Sequence, residues 1–199
     1  MSKSDPSASK KERNKTIRWV VTIFIATILI SAVISFVSDE IMDVSAMWMA
    51  FLILLAIVFL GIVFDIVGVA VTSAEERPFH SMAARKVPGA MEAIRLLRNA
   101  ERVSSICNDV VGDICGVVSG SASATIAAQV LLGMEQTPVS ADVVPLVMSA
   151  LVAGLTVGGK AIGKTFAIKS CTVIVSAVGR VIYWFRHIPE LFKRKKNDS

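Results

Sequence analysis

Two polar breaks in this 199-residue chain contain no basic residue. The first, around Ser38–Ser45, carries Asp39, Glu40 and Asp43; the second, Gly133–Asp142, carries Glu135 and Asp142. All 21 Lys and Arg residues lie elsewhere, within Lys3–Arg18, Arg77–Arg102 and Lys160–Lys196. A soluble domain has no reason to sort its charges this way. A multi-spanning membrane protein does, because positive loops stay on the cytoplasmic side during insertion. Aromatic residues are scarce, at 7%, and no nucleic-acid motif accompanies the basic blocks. The blocks therefore read as topology signals and anionic-lipid contacts, with no nucleic-acid partner. The cysteines are only three, Cys107, Cys115 and Cys171, all in or beside apolar segments. That odd count excludes a full disulfide framework and reads as free packing thiols. The two histidines, His80 and His187, stand alone on polar segments. With no nucleophile–base pair in sight, an enzyme is not expected.

What the chain has in quantity is apolar length. Hydrophobic residues make up 54% of it and the mean hydropathy is +0.65, too apolar for an ordinary globular domain. Ile17–Val37 is an uninterrupted apolar run of about 21 residues, enough to cross a hydrocarbon core of ~30 Å. A signal peptide is the competing reading, but the run is long and no small-x-small cleavage site follows. Further spans are expected over Val44–Thr72, Val103–Leu132 and Val143 to about Phe166. Pro88–Gly89 divides the polar stretch Ser73–Ser104 into two short amphipathic pieces, the second presenting Ala90, Ala93, Ile94 and Leu97 on one face. Thr165–Phe185 is apolar enough for a fifth crossing, but that would put Lys193–Lys196 outside and Lys169 and Arg180 in lipid. An interfacial helix with Tyr183, Trp184 and Phe185 as its belt fits better.

The expected fold class is thus all-α integral membrane, a bundle of four transmembrane helices with short juxtamembrane amphipathic helices. Residues 1–15 read as a disordered basic cytoplasmic tail, and 16–43 as an N-terminal transmembrane helix with an outer loop. Residues 44–186 form the main membrane domain, and 187–199 a second basic cytoplasmic tail. The partner implied throughout is the lipid bilayer of a bacterial-type inner or plasma membrane, with both termini cytoplasmic.

Charges inside a span cost about 2.5–3.5 kcal/mol each on insertion scales, so each one marks a candidate site. The second span has Asp65, with Gly61, Gly68 and Thr72 on its face. The third has Asp109 and Asp113, continuing to Gly116 and Gly120 and bordered by Asn108, Gly112 and Cys115. The fourth has Ser149, Ala153, Thr156, Lys160 and Gly163 at helical steps. Close helix packing accounts for the small residues. It leaves the carboxylates and the lysine unexplained. Carboxylate and amide oxygens converging at mid-membrane are what a hard divalent cation needs, so Asp65, Asn108, Asp109 and Asp113 are the candidate metal ligands.

At these residues the chain resembles the transmembrane domain of the CNNM/CorC family, proteins linked to magnesium and cobalt efflux. Ala70-Val71-Thr72-Ser73 is similar to the Ala-x-Thr-Ser that ends a span in that family. Asn99-Ala100-Glu101-Arg102 resembles its Asn-Pro-x-Arg helix start, and Gly112-Asp113 sits near its Gly-Asn-Asn position. Gly159-Lys160-Ala161-Ile162-Gly163-Lys164-Thr165 looks like Gly-Glu-x-x-Pro-Lys-Thr. The likeness covers residues 45 to 186, and the order and spacing of its parts carry it. It implies a homodimer and transport of a cation, Mg2+ or Na+, with no bound cofactor. The departures are specific. The family's Ser/Glu segment is Asp65-Ile66-Val67-Gly68-Val69 here, most asparagines are missing, and the span at Ile17–Val37 is additional. The CBS pair that often follows is not found before Ser199.

Lys160 stands where the resembled family has a glutamate. An ammonium has no lone pair to give a metal. Lys160 is therefore expected to replace the cation and pair with Asp65, Asp109 or Asp113; the plainer alternative is that it snorkels to the interface. Two functions follow. The first is cation transport through a relocated acidic site. The alternative is a non-transporting structural or regulatory relative, which acts on a membrane or cytoplasmic protein partner.

Overall fold

The structure, a computed structural model, describes residues 6–44, 47–133 and 138–197. Among the described residues nearly all are helical, joined by short turns, and there is no strand. The long helices are α1 (Pro6–Val44), α2 (Met47–Ser73), α6 (Asp113–Leu132), α7 (Pro138–Lys169) and α8 (Cys171–Asn197). Three short helices, α3 (Arg77–Ala84), α4 (Ala90–Arg98) and α5 (Ala100–Ser105), lie between α2 and α6. Four helical segments are long and apolar enough to cross a membrane: Thr16–Ile34, Met47–Ser73, Ala100–Leu132 and Ala141–Lys169. Their outward faces carry Phe24, Leu52, Phe59, Val117 and Leu155, all exposed. Water would not tolerate so much uncovered apolar surface, and a bilayer removes it from water. The chain is an all-α integral membrane bundle.

Helices α2, α6 and α7 pack mutually, and α1 leans on α6 from outside, barely touching α2. The Ala50, Leu54 and Val58 face of α2 meets Ala122 and Ile126 of α6 and Val152 of α7. A second core joins the ends of α2 and α7 to the short helices: Val71, Phe79, Ala93, Leu97, Ala167 and Val175 are buried there. The face expected on the second amphipathic piece is borne out, since Ala90, Ala93, Ile94 and Leu97 are all buried. Helix α8 crosses α4 at Gly89 and Gly179. Gly89 sits at φ 86°, and a Cβ there would come within 2.5 Å of the Arg180 nitrogen. Any other side chain would therefore meet both backbone strain and a clash.

Several boundaries differ from expectation. The basic tail is helical from Pro6 onward, not disordered over 1–15; residues 1–5 lie outside the described residues. A span already folded as a helix needs no new nucleus, so it propagates through the helix formers Lys10, Lys11, Glu12 and Arg13. For the same reason α1 continues through the expected outer loop to Val44, and α8 through the second tail to Asn197. The fourth span runs to Lys169, and Ser170 separates it from α8, so residues 165–169 extend the span and do not begin the interfacial helix. Among the described residues, α8 is not one of the four helices apolar enough to cross.

The third span is not one regular helix either. Between α5 and α6, Ile106–Gly112 forms a π-helical turn. Such turns insert a residue into an α-helix and are frequent at functional sites.

Candidate site between the second, third and fourth spans

The π-helical turn faces α2 at the level of Asp65. The Asp65 side chain is 6% exposed, and the Lys160 ammonium nitrogen lies 3.9 Å from its Oδ1. At that separation the contact is an ion pair and not a hydrogen bond. The Lys160 side chain is itself only 24% exposed, so it points inward and does not snorkel.

Glycines make the approach possible. A Cβ on Gly112 would sit 3.4 Å from the Lys160 nitrogen, an ordinary van der Waals contact that places the ammonium beside the π-helical turn. A Cβ on Gly68 would overlap Asn108 Oδ1 and lie 2.8 Å from its Cγ. On the same face, a Cβ on Gly61 would come 2.9 Å from Cys115 Cβ. Gly163 of α7 likewise admits Ile66, whose Cγ1 would be 2.8 Å from an added Cβ. The second-span stripe at Gly61 and Gly68, and Gly163 of the fourth, are therefore seams of the bundle, whereas the third-span stripe Asp109, Asp113, Gly116 and Gly120 is exposed.

Asn108, on the π-helical turn, packs against Gly68, one turn along α2 from Asp65. Its Nδ2 donates to Ser104 Oγ at 3.2 Å, one turn back. Asn108 Oδ1 and Asp65 Oδ2 are both buried and have no hydrogen-bond partner among the described residues. An acceptor left so is costly in a low-dielectric interior, so both oxygens are available to a donor or a cation.

Asp109 and Asp113 are not part of this arrangement. Both are exposed, as are Gly116 and Gly120, which line a groove shared with Ser149, Ala153 and Thr156 of α7. Ser105 Oγ donates to Asp109 Oδ2 at 2.7 Å. Among the described residues, no three His, Cys, Asp or Glu side chains gather closely enough to hold a metal ion. Of the four candidate ligands, then, Asp65 and Asn108 face the site and the other two do not. Magnesium asks for near-ideal octahedral oxygen coordination, and here the Asp65 carboxylate already faces an ammonium. This set does not fit a resident Mg2+.

Sequence reasoning missed the bonds made by Ser104 and Ser105, which follow the Asn99–Arg102 motif, and likewise the glycines' individual partners. The i, i+4 spacing of Ser104 with Asn108 and of Ser105 with Asp109 was the available signal. The three cysteines are free thiols, Cys107 and Cys115 buried and Cys171 partly so. No known family, curated protein or solved structure matches this chain.

Proposed function

We propose that the chain is a membrane bundle of CNNM/CorC type in which the Lys160 ammonium takes the place of a metal ion. It acts as a non-transporting structural or regulatory membrane protein. The observation that carries this reading is the 3.9 Å approach of Lys160 to the buried Asp65. A tethered cation neutralises that carboxylate permanently, and a divalent ion entering beside it would meet like charge in a low dielectric. The motif order at Ala70–Ser73, Asn99–Arg102 and Gly159–Thr165 supports the family assignment. Both termini are then cytoplasmic, in a bacterial inner or plasma membrane, because that orientation keeps every basic block on one side.

The protein functions as a homodimer in this reading. Two observations favour it. Asp109 and Asp113 are exposed at span depth, where lipid is a costly neighbour. Added Cβ atoms on Gly116, Gly120, Gly154 and Gly158 meet nothing within 4 Å, so open small-residue faces remain for a second copy.

Cation transport, of Mg2+ or Na+, is the second reading, favoured by the unpartnered oxygens of Asp65 and Asn108. If Lys160 withdraws toward the interface, these are suitable ligands. Ion flux into liposomes separates the two. The first reading expects no Mg2+ or Na+ flux from the native chain, and flux appearing in Lys160→Glu. Native flux that disappears in Asp65→Asn overturns it in favour of transport.

A further inference from the structure

The first and third candidate spans begin at Thr16 and Ala100, and contact between Trp19 and Arg102 sets these two starts side by side, where lipid headgroups would meet the protein. A cavity of about 370 Å³ opens between them, lined by Thr16, Trp19, Glu101, Arg102 and Ser105. A neighbouring cavity of about 580 Å³ shares Glu101 and Arg102 and adds Arg98 and Asn99. The Arg102 guanidinium carbon stands 5.4 Å from the Trp19 ring centroid. That contact holds the guanidinium over the ring and uses none of its N–H groups on a carboxylate, so they remain for an acceptor such as phosphate.

Glu101 and Arg102 form no ion pair among the described residues. Consecutive helical residues do not face each other, so the two charges reach the cavity wall separately. We infer that this cavity seats one phospholipid headgroup bearing both a phosphate and a primary ammonium, as in phosphatidylethanolamine. The phosphate pairs with Arg102, and the ammonium donates to the Glu101 carboxylate. A purely anionic headgroup would set its charge beside Glu101. A choline headgroup has no N–H to donate, and Arg102 already covers a face of Trp19 that a quaternary ammonium would use. The seat also has a structural consequence. The apolar window of α1 is 0% buried within the protein, so a lipid bridging α1 and α5 adds to a thin attachment.

The test is native mass spectrometry of the full chain released from nanodiscs of equal phosphatidylethanolamine, phosphatidylglycerol and phosphatidylcholine. The native protein is expected to keep one phosphatidylethanolamine in preference to the others. Glu101→Gln should lower that preference about tenfold, the loss of one charge-assisted hydrogen bond, while Glu101→Asp keeps it. Arg102→Gln should lose both phosphatidylethanolamine and phosphatidylglycerol. Monodisperse elution with native helicity checks that each variant is folded. An unchanged lipid profile in Glu101→Gln overturns the proposal, as does native preference for phosphatidylglycerol. Displacement of all retained lipid by millimolar glycerophosphoethanolamine would assign the site to a soluble headgroup and overturn the lipid seat.

Discussion

Asp65 and the Asp109–Asp113 pair are carboxylates of similar sequence context, each in an apolar span among glycines, yet they have opposite surroundings. Asp65 is 4% exposed and faces a lysine from another helix. Asp109 and Asp113 are exposed, and Asp109 is met by a serine of its own helix. The difference lies in what the neighbouring glycines admit. The spaces at Gly68 and Gly61 are filled across the seam by Asn108 and Cys115. Gly116 and Gly120 are filled by nothing. A glycine stripe signals close approach, and only the opposing helix decides whether the approach happens within one chain.

This contrast can be broken most forcefully at Lys160. Lys160→Met leaves Asp65 buried without its counter-charge, and removal of one partner of a buried pair costs about 3–5 kcal/mol. Reversible unfolding in mixed micelles should register that loss. Next comes Gly68→Val, which forces new bulk against Asn108 and should cost about 1–3 kcal/mol in the same assay. A fully tolerated valine would mean that the seam is looser than described. The smallest effects belong to the exposed stripe. In detergent-solubilised single chains, Asp109→Asn and Asp113→Asn should each stay within about 0.5 kcal/mol of native. Larger losses there would erase the distinction between the two acidic regions.

Much of the bundle was legible in the sequence. The sorting of Lys and Arg located the four spans, and the 3.6-residue period found the buried Ala90–Leu97 face. The helical tails were not legible, because composition reports the solubility of Lys10–Lys15 and not the helix already growing toward them. The π-helical turn was hidden for another reason: the pattern Asp109, Asp113, Gly116, Gly120 reads equally well on a regular helix. Choosing Asp65 over Asp109 or Asp113 as partner of Lys160 required the rotation of three helices about each other, which periodicity along one helix does not contain.

The central claim is that Lys160 and Asp65 stabilise the bundle as a pair. A double-mutant cycle with Asp65→Asn, Lys160→Met and their combination measures that coupling directly by unfolding in micelles. Strong non-additivity is expected: the double variant stays close to native stability although Lys160→Met alone costs about 3–5 kcal/mol, so the coupling is at least about 3 kcal/mol. Additivity to within about 0.5 kcal/mol would contradict it.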